Sequence, residues 1–193
     1  MKKYNLYLKT TFILAISIIF IACPGPNPDE CTWKVKTTQM YVKEYKGSYN
    51  MPIYHCEQLQ EYDSCYYDSL RIHLFFETEL LPNQDVCDNP HDSVMGLIKK
   101  LVIISMNDYN NQYQSHDTLN PIIDITYMDN SSITEMPISL NSFINNKPLC
   151  TPKINLFFNI PPYTKSLQQF IIEYEEDNGT HYQDTTIPIY IKP

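Results

Sequence analysis

"SLRIHLFFETEL" (residues 69–80) repeats with a period of two. Leu70, Ile72, Leu74 and Phe76 fall on one side; Arg71, His73 and Glu77 fall largely on the other. Successive side chains of a strand point to opposite faces, so this is the pattern of a half-buried β-strand. On that pattern His73 faces water. "KINLFFNI" (153–160) repeats the motif, with Ile154, Leu156, Phe158 and Ile160 opposed to Asn155, Phe157 and Asn159. "LIKKLVIISMND" (97–108) is apolar on both sides at Val102 to Ile104 and reads as a central strand.

Working outward, residues 33–45 ("WKVKTTQMYVKEY") and 121–127 ("PIIDITY") are further strands. Asn178-Gly179 is a hairpin signal, since both residue types tolerate positive φ, and it predicts that 168–176 pairs with 180–190. Pro188 lacks a backbone donor and marks part of the last strand as an edge or a bulge. Residues 137–144 fit one helical turn, capped by Asn141 or Ser142. The other helical candidate is "HCEQLQEYDSCYY" (55–67), whose apolar positions are poorly periodic. Isoleucine far outnumbers alanine, glycine is scarce at 4 residues and tyrosine abundant at 16, a bias toward strands. The expected fold is mainly β, an antiparallel immunoglobulin-like β-sandwich with little helix.

The N-terminus carries a different signal. Lys2, Lys3 and Lys9 precede a mostly apolar run from Phe12 to Ala22. At 11 residues this run is short against the roughly 20 of a spanning helix. A basic leader, a short apolar segment and a small residue at its end fit a signal peptide over residues 1–22. "IIFIAC" resembles a bacterial lipobox, although Phe20 stands where leucine is usual. That resemblance implies that Cys23 is acylated and begins the mature chain. Two or three acyl chains, at about 0.8 kcal/mol per buried CH₂, hold a protein durably on a membrane. Pro24 follows Cys23, so nothing resembles an inner-membrane retention signal, and the outer membrane is expected, facing either the periplasm or the surface. "PGPNPDE" completes a tether over residues 23–31, extended at about 3.1 Å per residue. A single β-sandwich domain over residues 32–193 follows.

The chain carries 14 basic and 22 acidic residues, a net charge of −8. Loss of the three leader lysines makes the balance more acidic still. That excludes nucleic acid and anionic lipid surfaces as general partners, since both require a basic face.

The lipobox, the Pro-rich tether, "LIKKLVIISMNDYNNQY", "ISLNSFINNKPLCTPKINLFFNIPPYTKSLQQFIIEYEEDNG" and the late "IPIYI" together resemble a family of uncharacterised Bacteroides-type lipoproteins of about 200 residues. The likeness covers most of residues 97–191 and the front half weakly. It implies a lipid-anchored, immunoglobulin-like sandwich, and its motifs are structural, so it carries over no catalytic residue.

With Cys23 acylated, five thiols remain: Cys31, Cys56, Cys65, Cys87 and Cys150. Export permits disulfides, and an odd number leaves one thiol over. A local Cys56–Cys65 bridge is expected; Cys87 has Cys31 and Cys150 as equal alternatives. "DVCDNPHD" (85–92) gathers Asp85, Cys87, Asp88, His91 and Asp92, but no second Cys/His pair stands at finger-like spacing, so no metal site is expected. No phosphate loop, nucleophile elbow or HExxH motif occurs, and no cofactor is implied. Glu77/Glu79 and Glu173/Glu175 alternate onto single strand faces, a spacing that mimics a glycosidase pair but is usual for a solvated sheet.

Tyr41, Tyr45, Tyr49, Tyr54, Tyr62, Tyr66 and Tyr67 crowd the front third. Such aromatic faces suit sugars and protein interfaces. Four segments, "DSL" (68–70), "DSV" (92–94), "DTL" (117–119) and "DTT" (184–186), resemble Bacteroides-type O-glycosylation sites, where composition alone gives about half of one. Asp-Ser/Thr pairs also start turns. Ser93 and Thr118, read as loop residues, are the expected glycan carriers; Ser69 and Thr185 lie closer to strands. The expected function is a lipid-anchored, non-catalytic binding or accessory module for a glycan or an envelope protein. The alternatives are an envelope hydrolase and a structural subunit of a surface assembly.

Overall fold

The structure is a computed structural model. It describes residues 32–48, 55–80, 92–129, 132–133 and 136–193. The chain divides into two compact units, Met1–Trp33 with Asn83–Ser93, and Lys34–Pro82 with Val94–Pro193. The second unit is the β domain described below. The leader, the tether, Cys23, Cys31, Cys87 and most of the 85–92 loop lie outside the described residues.

The domain is mainly β, built of several antiparallel sheets. In chain order the strands are β1 (Thr32–Lys46), β2 (Glu57–Gln58), β3 (Ser64–Tyr66), β4 (Leu70–Leu80), β5 (Asp92–Met95), β6 (Ile98–Ser105) and β7 (Ile123–Asp129). There follow β8 (Ser132–Ile133), β9 (Ile138–Ser139), β10 (Lys153–Phe158), β11 (Ser166–Gln168), β12 (Phe170–Glu176), β13 (His181–Thr185) and β14 (Ile189–Lys192). The main sheet runs β2-β1-β4-β10-β7-β8, a second runs β13-β12-β6, and a third runs β11-β14-β3. In the third, β14 and β3 are parallel.

The main and second sheets meet through the residues that alternation assigns to the core. Leu70, Ile72, Leu74, Ile154 and Leu156 are fully buried in the main sheet, as are Leu101, Ile103, Phe170 and Ile172 in the second. Ring contacts join the layers: Phe76 to Tyr174 at 4.7 Å and Phe158 to Phe170 at 5.0 Å. Each such aromatic or aliphatic side chain contributes roughly 1.5–3 kcal/mol on full burial. Two sheets face to face over one apolar interior is the arrangement of a β-sandwich.

The upper edge of β1 is closed by side chains from the second sheet's side. Val42 N–H donates to Asp184 Oδ2 at 2.9 Å, Tyr182 Oη donates to the Thr37 carbonyl, and Ile187 N–H donates to Glu44 Oε1 at 3.1 Å. An open strand edge is a template for pairing with another chain, and the bonds at Val42 and Thr37 occupy backbone groups of it.

Several expectations are corrected. Residues 55–67 form no α-helix; β2 and β3 lie there instead, separated by a turn in which Tyr62 takes a left-handed φ of 68°. The single α-helix among the described residues, α1 (Leu140–Asn145), is capped by Ser139, whose Oγ accepts from Ser142 N, and not by Asn141 or Ser142. β6 ends its sheet, and β12 is the central strand. Its outer edge is covered by the 117–120 segment: Leu119 N–H bonds to the Ile103 carbonyl, and Asn120 bonds to both Ile103 N–H and the Leu101 carbonyl. Both edges of β6 are therefore bonded, one by β12 and the other by this segment.

The Asn178-Gly179 hairpin forms, pairing β12 with β13 only as far as Ile171↔Thr185. Of the two turn residues only Gly179 takes positive φ, at 85°. The turn spans four residues, so Asn178 is free to use its side chain, accepting from Thr180 N–H and donating to Glu176 Oε2. Pro188 breaks the last strand outright. Beyond it the chain changes sheet, and β14 lies between β11 and β3.

Candidate functional site

β1, β4 and β10 lie side by side, and their registers place nine outward-facing residues on a three-by-three grid. Tyr41 opposes Phe75, Lys43 opposes His73, and Tyr45 opposes Arg71. On the other flank Lys153 opposes Phe75, Asn155 opposes His73, and Phe157 opposes Arg71. His73 is the central residue. Its eight neighbours comprise four aromatics, three cations and one amide, with no carboxylate. Glu77 and Asp124 border the grid. Glu77 accepts from the Tyr41 hydroxyl, and Asp124 on β7 stands opposite Phe157.

The outward face of β4 is not solvated. His73 is 1 % exposed, so the expectation that it faces water is wrong. Rings enclose it: Tyr45 stands edge-on at 4.9 Å and Phe75 lies near-parallel at 6.0 Å. Arg71, Asn155 and Phe157 are buried as well. Alternation could identify the face, but not the cross-strand aromatics that cover it.

Electrostatics on the grid follow from this burial. Loss of hydration pushes His73 down to about 3, and the charges of Lys153 and then Arg71 add to the effect. The imidazole is therefore neutral near pH 7. Lys153 is also lowered, by burial first and then by Arg71. Lys153 Nζ lies 5.5 Å and Lys43 Nζ 6.0 Å from the centre of the Phe75 ring. The Arg71 guanidinium lies 5.2 Å from the Phe157 ring, and its Nη1 donates to Cys56 Sγ at 3.0 Å.

Among the described residues, two polar groups at the heart of the grid have no hydrogen-bond partner. They are the two ring nitrogens of His73 and Oδ1 of Asn155. Asn155 Nδ2 donates to Thr126 Oγ1 at 2.9 Å, which fixes the amide and leaves its oxygen as the unused end. A buried polar group left unsatisfied costs about 1–3 kcal/mol. The grid thus holds unused hydrogen-bonding capacity beside flat rings and positive charge.

The other expected sites are placed as follows. Cys65 is a free, buried thiol in β3, so the expected Cys56–Cys65 bridge is not formed. Cys56 instead lies against Gly47 and Arg71, drawn there by β2 pairing with the end of β1. Burial pushes the Cys65 thiol up to about 11 and the Cys150 thiol to about 12, which makes both poor nucleophiles. Glu173 and Glu175 are bound to Lys100 and Lys99 across the sheet, at 2.6 and 2.5 Å, as structural ion pairs. Thr118 and Thr185 are exposed. Ser69 is half-buried and donates to the Tyr66 carbonyl. Ser93 belongs to β5, not to a loop. Among the front-third tyrosines, Tyr41 and Tyr45 join the grid, whereas Tyr62 and Tyr66 are exposed elsewhere, by β3.

Away from the grid, a concavity of about 430 Å³ is lined by Asn110, Asn111, Gln112, Pro161, Pro162, Tyr163 and Pro193. Its Asn110 side chain is engaged in the turn, accepting from Gln112 and Tyr113 N–H. Among the described residues no cluster of three His, Cys, Asp or Glu is placed to hold a metal ion. No helix there is long and apolar enough to cross a membrane.

Comparison of the chain with protein-family models, with curated proteins and with solved structures finds no match.

Proposed function

We propose that this protein is a lipid-anchored envelope protein of the Bacteroides lipoprotein type, and that it acts as a non-catalytic binding module whose binding face is the grid around His73. The single observation that carries the binding role is a sheet face of four aromatics, three cations and one amide, with buried polar atoms unused at its centre. Rings with polar edges beside them suit the alternating apolar and hydroxyl faces of a sugar. The lipid anchor at Cys23 rests on the lipobox resemblance, with the outer membrane as destination. O-glycans on the Asp-Thr segments belong to the same envelope reading.

The test is capture from the native envelope, paired with a glycan array. The full chain is expected to retain a glycan or envelope partner, and His73→Phe with Lys153→Ala to lose it. Absence of any partner in both assays would remove the binding role. Palmitate labelling lost in Cys23→Ser tests the anchor independently.

A further inference from the structure

We infer that the grid takes an anionic saccharide, a sugar bearing a carboxylate or phosphate group. This rests on the binding role proposed above and specifies its ligand.

Three observations converge. First, Lys43, Arg71 and Lys153 bring three positive charges to a nine-residue surface with no carboxylate among its members, in a chain whose acidic residues outnumber its basic ones by 22 to 14. Among the described residues neither Lys43 nor Lys153 has an ion-pair partner. Both lie against one ring, Phe75, from opposite neighbouring strands. An anion at the rim of that ring can be reached by both ammonium groups through movement of the lysine stems. Second, His73 and Asn155 are 1 % and 7 % exposed and offer complementary chemistry. The neutral imidazole donates through one nitrogen and accepts through the other, and Asn155 Oδ1 accepts. A sugar hydroxyl, which both donates and accepts, matches this pair. Third, Tyr41, Tyr45, Phe75 and Phe157 supply flat faces around these polar atoms, which a compact inorganic ion cannot use.

The route in lies at the Lys43 side. Lys43 is exposed and Lys153 half-exposed, whereas burial deepens toward Arg71 and Phe157. Both lysines have long, rotatable stems that can move off Phe75, and the His73 ring is reached as Phe75 and Tyr45, which enclose it, give way. The same positive charge disfavours a metal cation. A polynucleotide also stacks on rings and pairs with cations, but the net charge of −8 repels a long polyanion.

The experiment is isothermal titration of the full chain in detergent with tri-galacturonic acid, its carboxyl-reduced neutral counterpart, mannose 6-phosphate, inorganic phosphate and a short single-stranded oligonucleotide. Tri-galacturonic acid or mannose 6-phosphate is expected to bind, at least tenfold more tightly than the neutral sugar and than inorganic phosphate; which of the two does so identifies the anionic group. Lys153→Ala and Asn155→Leu are each expected to weaken binding at least tenfold, with Thr185→Ala as the unaffected control. Circular dichroism confirms folding of each variant. Equal binding of acidic and neutral sugars would overturn the anionic assignment and leave a sugar-binding role standing. Binding of inorganic phosphate as tight as that of the sugars, or tighter binding of the oligonucleotide, would overturn the saccharide. Failure of every probe would overturn the inference while envelope capture decides the binding role separately.

Discussion

The imidazole of His73 stands edge-on to the ring of Tyr45, with centroids 4.9 Å apart and 72° between the planes. The contact seals one flank of the only histidine at the grid, and Phe75 seals another. The first consequence is a pH dependence. His73 is held down to about 3 in the folded state, against 6.5 when exposed. Between those values the unfolded chain binds the proton and the folded chain does not. Stability from this group is therefore complete above about pH 6.5 and declines as pH falls toward 3, by up to about 1.4 kcal/mol per pH unit. Urea unfolding at pH 7 and pH 4.5 is expected to give a larger loss for the wild type than for His73→Phe. Equal losses would show that the ring is solvated.

Gly47 is fixed by contact. A Cβ there would lie 2.5 Å from Cys56 Sγ and 3.2 Å from its Cβ. Gly47→Ala is expected to destabilise the domain by about 1–3 kcal/mol, the range for overpacking. Cys56→Ala removes the nearer atom, so the double variant is expected to recover part of that loss. A double-mutant cycle by chemical denaturation measures the coupling, and strict additivity would place the two residues apart.

Glu44 accepts from Ile187 N–H while nearly buried, and burial raises its carboxyl above the usual 4.5. The folded chain then retains a proton that the unfolded chain releases, so this group lowers stability as pH rises above about 4.5. Glu44→Gln keeps an acceptor for Ile187 and removes the ionisation. Its melting temperature relative to wild type is expected to rise from pH 4.5 to pH 8; a falling difference contradicts the sign.

Glycan attachment needs an accessible hydroxyl. Thr118 and Thr185 are exposed, whereas Ser69 is half-buried and spends its hydroxyl on Tyr66. Intact mass of protein from its native host is expected to exceed polypeptide plus lipid, with the excess reduced by Thr118→Ala and by Thr185→Ala. A mass equal to polypeptide plus lipid would end the proposal.

Much of the β framework was legible in the sequence, and for one physical reason. Period-two alternation in 69–80 and 153–160 reports directly on which side chains face the core, and Leu70, Ile72, Leu74, Ile154 and Leu156 all lie there. The sheet change at Pro188 was only half legible: a missing N–H says that pairing stops, not where the chain goes next. The site was hidden because it depends on register. "YVKEY" (41–45), "RIHLF" (71–75) and "KINLF" (153–157) each carry one cation and at least one ring on the outward side, a signal visible strand by strand. Only the pairing of Lys43 and Asn155 with His73 makes them one surface. The Cys56–Cys65 expectation failed because nearness in sequence says nothing of strand direction, and β2 and β3 take the two thiols to different partners.

The central claim is that the grid binds its ligand at His73. Its most direct measurement is the imidazole signal of His73, followed by NMR in isotopically labelled full-length protein as tri-galacturonic acid is added. The predicted result is a saturable shift of the His73 ring resonances and a titration midpoint raised from about 3, since a bound anion favours the imidazolium. Saturable shifts elsewhere, with the His73 ring unchanged, would contradict it.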